Sequence, residues 1–248
     1  MTKLITRQNN LNGVQMDPYF LFMKLFKKIA IYTFLAIAAV LWVIIVLHDT
    51  GVMHGDTKWL KFATIATCFV FSLLHLRNVK THFFIGAMLF TVISDWILVV
   101  NFKASIVWIA LVTFSISQIL HWLDVKGYKN LMKSVIWRTG SFVALTILLI
   151  ILIGFNAISI LTAFYFANLV MNVVDSFKAK FKGHIIMGIG FILFMLCDIC
   201  VGWTMSNFAG STNPVVSFLT TFTAFGMWML YVPSQALLVY SNYYRYEK

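Results

Sequence analysis

Two aspartates interrupt runs that are otherwise apolar. Asp95 lies in "LFTVISDWILVV" (residues 89–100) and Asp198 in "GFILFMLCDICVGW" (residues 190–203). A charged aspartate at the centre of a membrane span costs roughly 2.5–3.5 kcal/mol on insertion scales, so an intramembrane carboxyl reads by default as a site residue. Two carboxyls brought close together cannot both be ionised cheaply, and the pair shares a proton. One member can then act as general acid while the other acts as general base toward a water. The competing structural reading makes each a protonated group that hydrogen-bonds a neighbouring helix or lines a wet crevice without doing chemistry.

Polar residues at helical spacing can complete such a site. Thr113, Ser117 and His121 share a face with Gln118. Asn168, Asn172 and Asp175 form a second stripe, and Tyr231 and Gln235 lie one turn apart. The plain alternative for each stripe is interhelical hydrogen bonding, common in membrane bundles. Cys197 and Cys200 form a CxxC, but no second cysteine pair accompanies it, so they read as small packing residues, as does Cys68. With no HxxxH or HExxH in the chain, the histidines predict no metal site.

The elements that must position these residues follow from composition. Hydrophobic residues make up 61% of the 248-residue chain and charged residues 11%, with a mean hydropathy of +0.89. A soluble domain cannot hide so much apolar surface, so the expected fold is an all-α polytopic membrane protein. Apolar runs of about 20 residues predict eight transmembrane helices, at 29–47, 59–77, 82–102, 105–123, 136–155, 157–175, 184–203 and 219–241. A basic segment 1–28 precedes them and a tail 242–248 follows. No cleavable signal-peptide pattern is present, and "MDPYFLFMKLFKK" reads either as an amphipathic segment on the membrane surface or as a basic tail.

Orientation follows from the basic residues. Lys3, Arg7, Lys24, Lys27, Lys28, Arg77, Lys80, Lys126, Lys129, Lys133, Arg138, Lys178, Lys180, Lys182, Arg245 and Lys248 fall on one side of the predicted topology. Only Lys58, Lys61 and Lys103 fall on the other. Both termini are therefore expected in the cytoplasm. The net charge of +11 then reads as a positive-inside signature and not as a nucleic-acid surface. Asp95 and Asp198 sit at similar depths on the third and seventh helices, which predicts two four-helix halves in parallel.

At this point the residues resemble the YhhN-type lysoplasmalogenase family of eight-helix membrane proteins. The family pattern has a small residue before Asp on the third helix, matched by Ser94-Asp95. Its Gly…Phe…Ser-Asp segment on the seventh is matched by Gly190, Phe194, Cys197 and Asp198. Its Tyr…Gln pair on the eighth is matched by Tyr231 and Gln235. The similarity covers nearly the whole chain after residue 29. Three departures stand out. Phe114, Gln118 and His121 occupy positions where the family has Phe, His and Tyr, Lys61-Phe62 replaces a Lys-Pro, and Cys197 replaces Ser.

What the resemblance implies is hydrolysis of the vinyl ether bond of lysoplasmalogens, giving a fatty aldehyde and glycerophosphocholine or glycerophosphoethanolamine. It implies Asp95 and Asp198 as the catalytic pair, with Ser94, Lys61, Gln118, His121, Cys197, Tyr231 and Gln235 as supporting or substrate-binding residues, to which the polar stripe adds Asn168. No metal or organic cofactor is required, and the expected partners are a lysophospholipid and membrane lipids. The expected location is a bacterial inner membrane. Two other readings stay open: a proton- or cation-coupled carrier using the same aspartates, and a lipid-binding homologue inactivated by Gln118. A closed cavity holding both carboxylates favours the enzyme, and a continuous polar path favours transport.

Overall fold

The computed structural model describes residues 18–76, 78–127, 131–204 and 214–246. Lys3, Arg7, Arg77, Lys129 and Lys248 of the basic set lie outside the described residues, as does the start of the basic N-terminal segment. Every regular element among the described residues is helical. The α-helices are α1 (Pro18–Asp49), α2 (Lys58–Ser72), α3 (His82–Asp95), α4 (Val107–Lys126), α5 (Leu131–Ile153), α6 (Ala157–Lys178), α7 (His184–Thr204) and α8 (Pro214–Tyr246). Seven helical spans are long and apolar enough to cross a membrane: α1, α4, α5, α6, α7 and α8, and α3 taken together with the 3-10 turn before it and the π turn after it (Val79–Val100). The architecture is that of a polytopic helical membrane protein.

The predicted second span is where sequence and structure differ most. Fifteen residues of α-helix rise about 22 Å, less than the ~30 Å hydrocarbon core. Beyond Ser72 the chain tightens into a 3-10 turn, Leu73–His75, and the Ser72 hydroxyl donates back to the Phe69 carbonyl at 2.6 Å. The first helix also starts earlier than predicted. Pro18 takes a first-turn position, where its missing N–H costs nothing, and α1 continues unbroken through Lys24, Lys27 and Lys28. Between α5 and α6 the chain reverses at Gly154, with φ +92°, and the Asn156 side chain caps α6 by accepting from Ser159 N at 2.7 Å.

Packing follows a ring. α1, α2, α3, α4, α6, α7 and α8 contact one another in that order, α8 closes back onto α1 and α2, and α5 packs chiefly on the outside of α6. The core holds Phe34, Ile65, Phe84, Met88, Leu169, Met187, Phe191, Phe194 and Leu238, all essentially inaccessible. The outward faces are apolar too, as at Ile136, Trp137, Ile147 and Ile151 of α5. Such a continuous apolar exterior fits a lipid solvent.

Two close fits hold α8 in place. Pro233 lies inside that helix, so no N–H reaches back to the carbonyl of Met229. The Trp42 indole of α1 donates to that carbonyl at 3.1 Å. A Cβ on Gly190 of α7 would lie 3.0 Å from Leu238 Cδ2 and 3.3 Å from the Ser234 carbonyl, so any larger residue must push α8 or the Leu238 side chain aside at this close α7–α8 approach.

Candidate active site

α3 and α7 bring their aspartates to one place. The α-geometry of α3 ends at Asp95 and continues as a π-helical turn, Trp96–Val100, closed by Asn101 N donating to Trp96 O at 3.0 Å. Such widened turns recur at functional sites. Asp95 is buried, and the Tyr231 hydroxyl of α8 donates to its Oδ2 at 2.6 Å. The Tyr165 hydroxyl of α6 donates in a short hydrogen bond to Asp198 Oδ2. Each carboxyl is thus held through its Oδ2 from a different neighbouring helix.

Both aspartates line one cavity of about 380 Å³ together with Leu98, Val99, Phe114, Cys197, Val201, Met227, Trp228 and Tyr231. The same cavity reaches Asp56, Thr57, Lys58 and Lys61 at the end of the bundle formed by the 50–57 loop. Lys58 and Asp56 pair at 2.9 Å and are both exposed, so the cavity meets the surface there. The Lys58 ammonium holds the Asp56 carboxyl below its ordinary value of 3.8. At the inner end stand aromatic rings: Phe114 lies 5.5 Å from Tyr165 and 6.0 Å from Phe194, and Phe194 lies 5.4 Å from Tyr231. The result is an apolar pocket lined by two carboxyls and the Tyr231 phenol, with Tyr165 bonded to Asp198 and charges at the rim.

The structure brings together only some of the residues that the sequence singles out. Asp95, Asp198, Cys197, Tyr231 and Lys61 line the cavity. Ser94 stands behind Asp95, 2.6 Å from the Thr113 hydroxyl, and Ser117 bonds Thr91 at 2.8 Å; both are α3–α4 tethers. His121 is wedged between Phe84 and Phe191, with ring centroids at 5.5 and 5.1 Å, and does not line the cavity. Gln235 is fully buried one turn beyond Tyr231, and its amide has no hydrogen-bond partner among the described residues. Among the described residues no three of His, Cys, Asp or Glu converge to hold a metal ion.

Gln118 and Asn168 belong to a separate polar cluster. Arg138 of α5 donates to Asn168 Oδ1 at 3.0 Å, Asn172 Oδ1 at 2.8 Å and Asp175 Oδ2 at 2.8 Å. Asn172 passes the chain on to Gln118 Oε1 at 2.9 Å, Lys126 pairs with the other Asp175 oxygen at 2.9 Å, and the guanidinium lies 4.6 Å from the Trp122 ring centre. Arg138, which the sequence groups with the loop charges, is buried inside the bundle.

Sequence reasoning alone misses Tyr165, Lys58 and Trp228 as site residues. Tyr165 sits one turn before Asn168 and Trp228 one turn before Tyr231, so helical spacing from those two residues is the available signal. Comparison with family models, curated proteins and solved structures finds no match for this chain.

Proposed function

We propose that the chain is a membrane-embedded hydrolase that cleaves the vinyl ether bond of lysoplasmalogen. The observation that carries this reading is the convergence of Asp95 and Asp198, each held by a tyrosine hydroxyl, on one apolar cavity that reaches the surface. The carboxyl that holds the shared proton delivers it to the β-carbon of the enol ether, forming an oxocarbenium ion. The ionised partner stabilises that cation and takes a proton from the attacking water. The hemiacetal then collapses to a fatty aldehyde and the glycerophospho alcohol, and the acid is restored. Water is the only co-reactant and no redox step is involved.

The pocket volume lies within the range of small-molecule sites, and its walls are mostly apolar with a few polar groups converging, as such sites require. What supports a hydrolase over a carrier is that buried apolar side chains precede each aspartate on its helix, on the side away from the rim: Phe84 and Met88 on α3, Phe191 and Phe194 on α7. The proposed topology has eight passes, α2 completing its crossing with the 3-10 turn, because α2 is a full member of the ring between α1, α3 and α8. Both termini then lie in the cytoplasm, in what we take to be a bacterial inner membrane, with the cavity facing outward.

The test is aldehyde release from ethanolamine and choline lysoplasmalogens by purified protein, beside Asp95→Asn and Asp198→Asn variants of verified fold. Turnover lost in both variants supports the mechanism. Activity surviving both sinks it, and an inactive wild type sinks the substrate assignment.

A further inference from the structure

The cavity rim carries a charge arrangement that the acid–base chemistry does not use. Lys61 is only 15% exposed. It is pinned by Asp49 Oδ1 at 2.8 Å and lies 5.0 Å above the centre of the Trp228 ring. An ammonium has three donors, and Asp49 takes one, so Lys61 keeps donors to offer into the cavity it lines. Lys58 stands one helical turn away on the same rim. Both lie in the first turn of α2, which contains no acidic residue, so the positive end of that helix adds to their field. Each lysine already has a carboxylate partner, Lys61 in Asp49 and Lys58 in Asp56; of the two carboxylates only Asp56 lines the cavity, at its solvent edge.

We infer that this rim is a subsite for the phosphate of a single-chain phospholipid, held by Lys61 and Lys58, with the headgroup amine turned outward to Asp56. The assignment of which end of the lipid faces the aspartates rests on the hydrolase reading above. Three observations support this polarity. The Trp228 face that would cradle a quaternary ammonium is already covered by Lys61. Lys61, the more buried cation, lies deeper than Asp56, the exposed anion. The order along the cavity also fits: Val201 lies about one turn beyond Asp198 and Trp228 about one turn before Tyr231, a rise of roughly 5 Å toward the rim, and the Lys61 ammonium stands 5.0 Å from the Trp228 ring centre. A glycerol backbone spans that interval. Amine size therefore matters little, because the amine reaches solvent, and the phosphate matters much.

The experiment uses ligands that the proposed chemistry cannot consume. Purified full-length protein in nanodiscs is titrated with a 1-O-alkyl glycerophosphocholine and with the 1-O-alkylglycerol of the same chain length, following intrinsic tryptophan fluorescence. The phosphate-bearing lipid should bind about tenfold tighter or more, the value of a charge-assisted hydrogen bond. Lys61→Met should abolish the difference, and Lys61→Arg, which keeps the charge, should restore most of it. Equal binding of the two lipids by wild type overturns the subsite, as does a preference that survives in Lys61→Met. Inorganic phosphate binding alone as tightly as the alkyl phospholipid overturns the lipid assignment. Because no bond is broken, rim binding without aldehyde release would fail the hydrolase and keep the subsite. Aldehyde release without phosphate preference would do the reverse.

Discussion

Arg138→Met is the substitution whose cost the structure defines best. The guanidinium serves three side-chain acceptors, Asn168 Oδ1, Asn172 Oδ1 and Asp175 Oδ2, and the Asn168 carbonyl at 3.1 Å. Removing one partner of a buried ion pair costs about 3–5 kcal/mol. Lys126 remains on Asp175 at 2.9 Å and Ser134 at 3.4 Å, which argues for the lower end. The two asparagines argue upward. Their amide nitrogens are committed to the Phe164 carbonyl and to Gln118, so they cannot turn to hide an orphaned oxygen, and each buried acceptor left unpaired costs about 1–3 kcal/mol.

The expected loss for Arg138→Met is therefore about 4 kcal/mol, read as a shift in reversible unfolding in mixed micelles. Arg138→Lys should recover little, because an ammonium cannot span the set of acceptors that the planar fork reaches. Adding Asp175→Asn to Arg138→Met should cost less than the sum of the single changes, since the pair shares one network. Hydrogen exchange should localise the damage to α5, whose main partner is α6. A loss under about 1 kcal/mol, or a Lys variant as stable as wild type, would refute the claim that this network docks α5.

Two kinds of substitution probe the site and the helix contact beside it. Tyr231→Phe and Tyr165→Phe each remove a hydroxyl that holds a carboxyl oxygen; each should lower kcat for aldehyde release about tenfold or more with little change in KM. Unchanged kcat would show the phenols to be packing groups. Gly190→Val should lower stability by about 1–3 kcal/mol, because its side chain meets Leu238 and the Ser234 carbonyl, and a wild-type unfolding midpoint would contradict that contact.

The Asp95–Asp198 pair is legible in the sequence because a carboxyl inside an apolar run has no cheap explanation, and two at similar depth have fewer. Ser94, Gln118, His121, Asn168 and Gln235 carry the same sequence signal as Tyr231. Spacing says only that residues share a helix face, not which neighbour that face meets. Asn168 faces Arg138, His121 faces two phenylalanines, and Tyr231 faces Asp95. Tyr165 is hidden for the opposite reason, since one more aromatic in a chain with 17% of them carries no signal until Asp198 is beside it.

Composition and hydropathy alone determined that this chain is an all-helical bundle with apolar helices, because lipid leaves backbone polar groups no other arrangement. Apolar-run length located the helices, apart from the early starts of α1 and α5, the short α2, the π turn after Asp95 and an α8 that runs five residues further at each end. Local sequence does not encode those features strongly. Only tertiary packing decided which polar groups meet: that both aspartates reach one cavity, that Arg138 leaves the loop charges for the interior, and that Lys61 sits over Trp228. Such meetings depend on helix rotation and neighbour order, set by the summed fit of the whole ring and by no single segment.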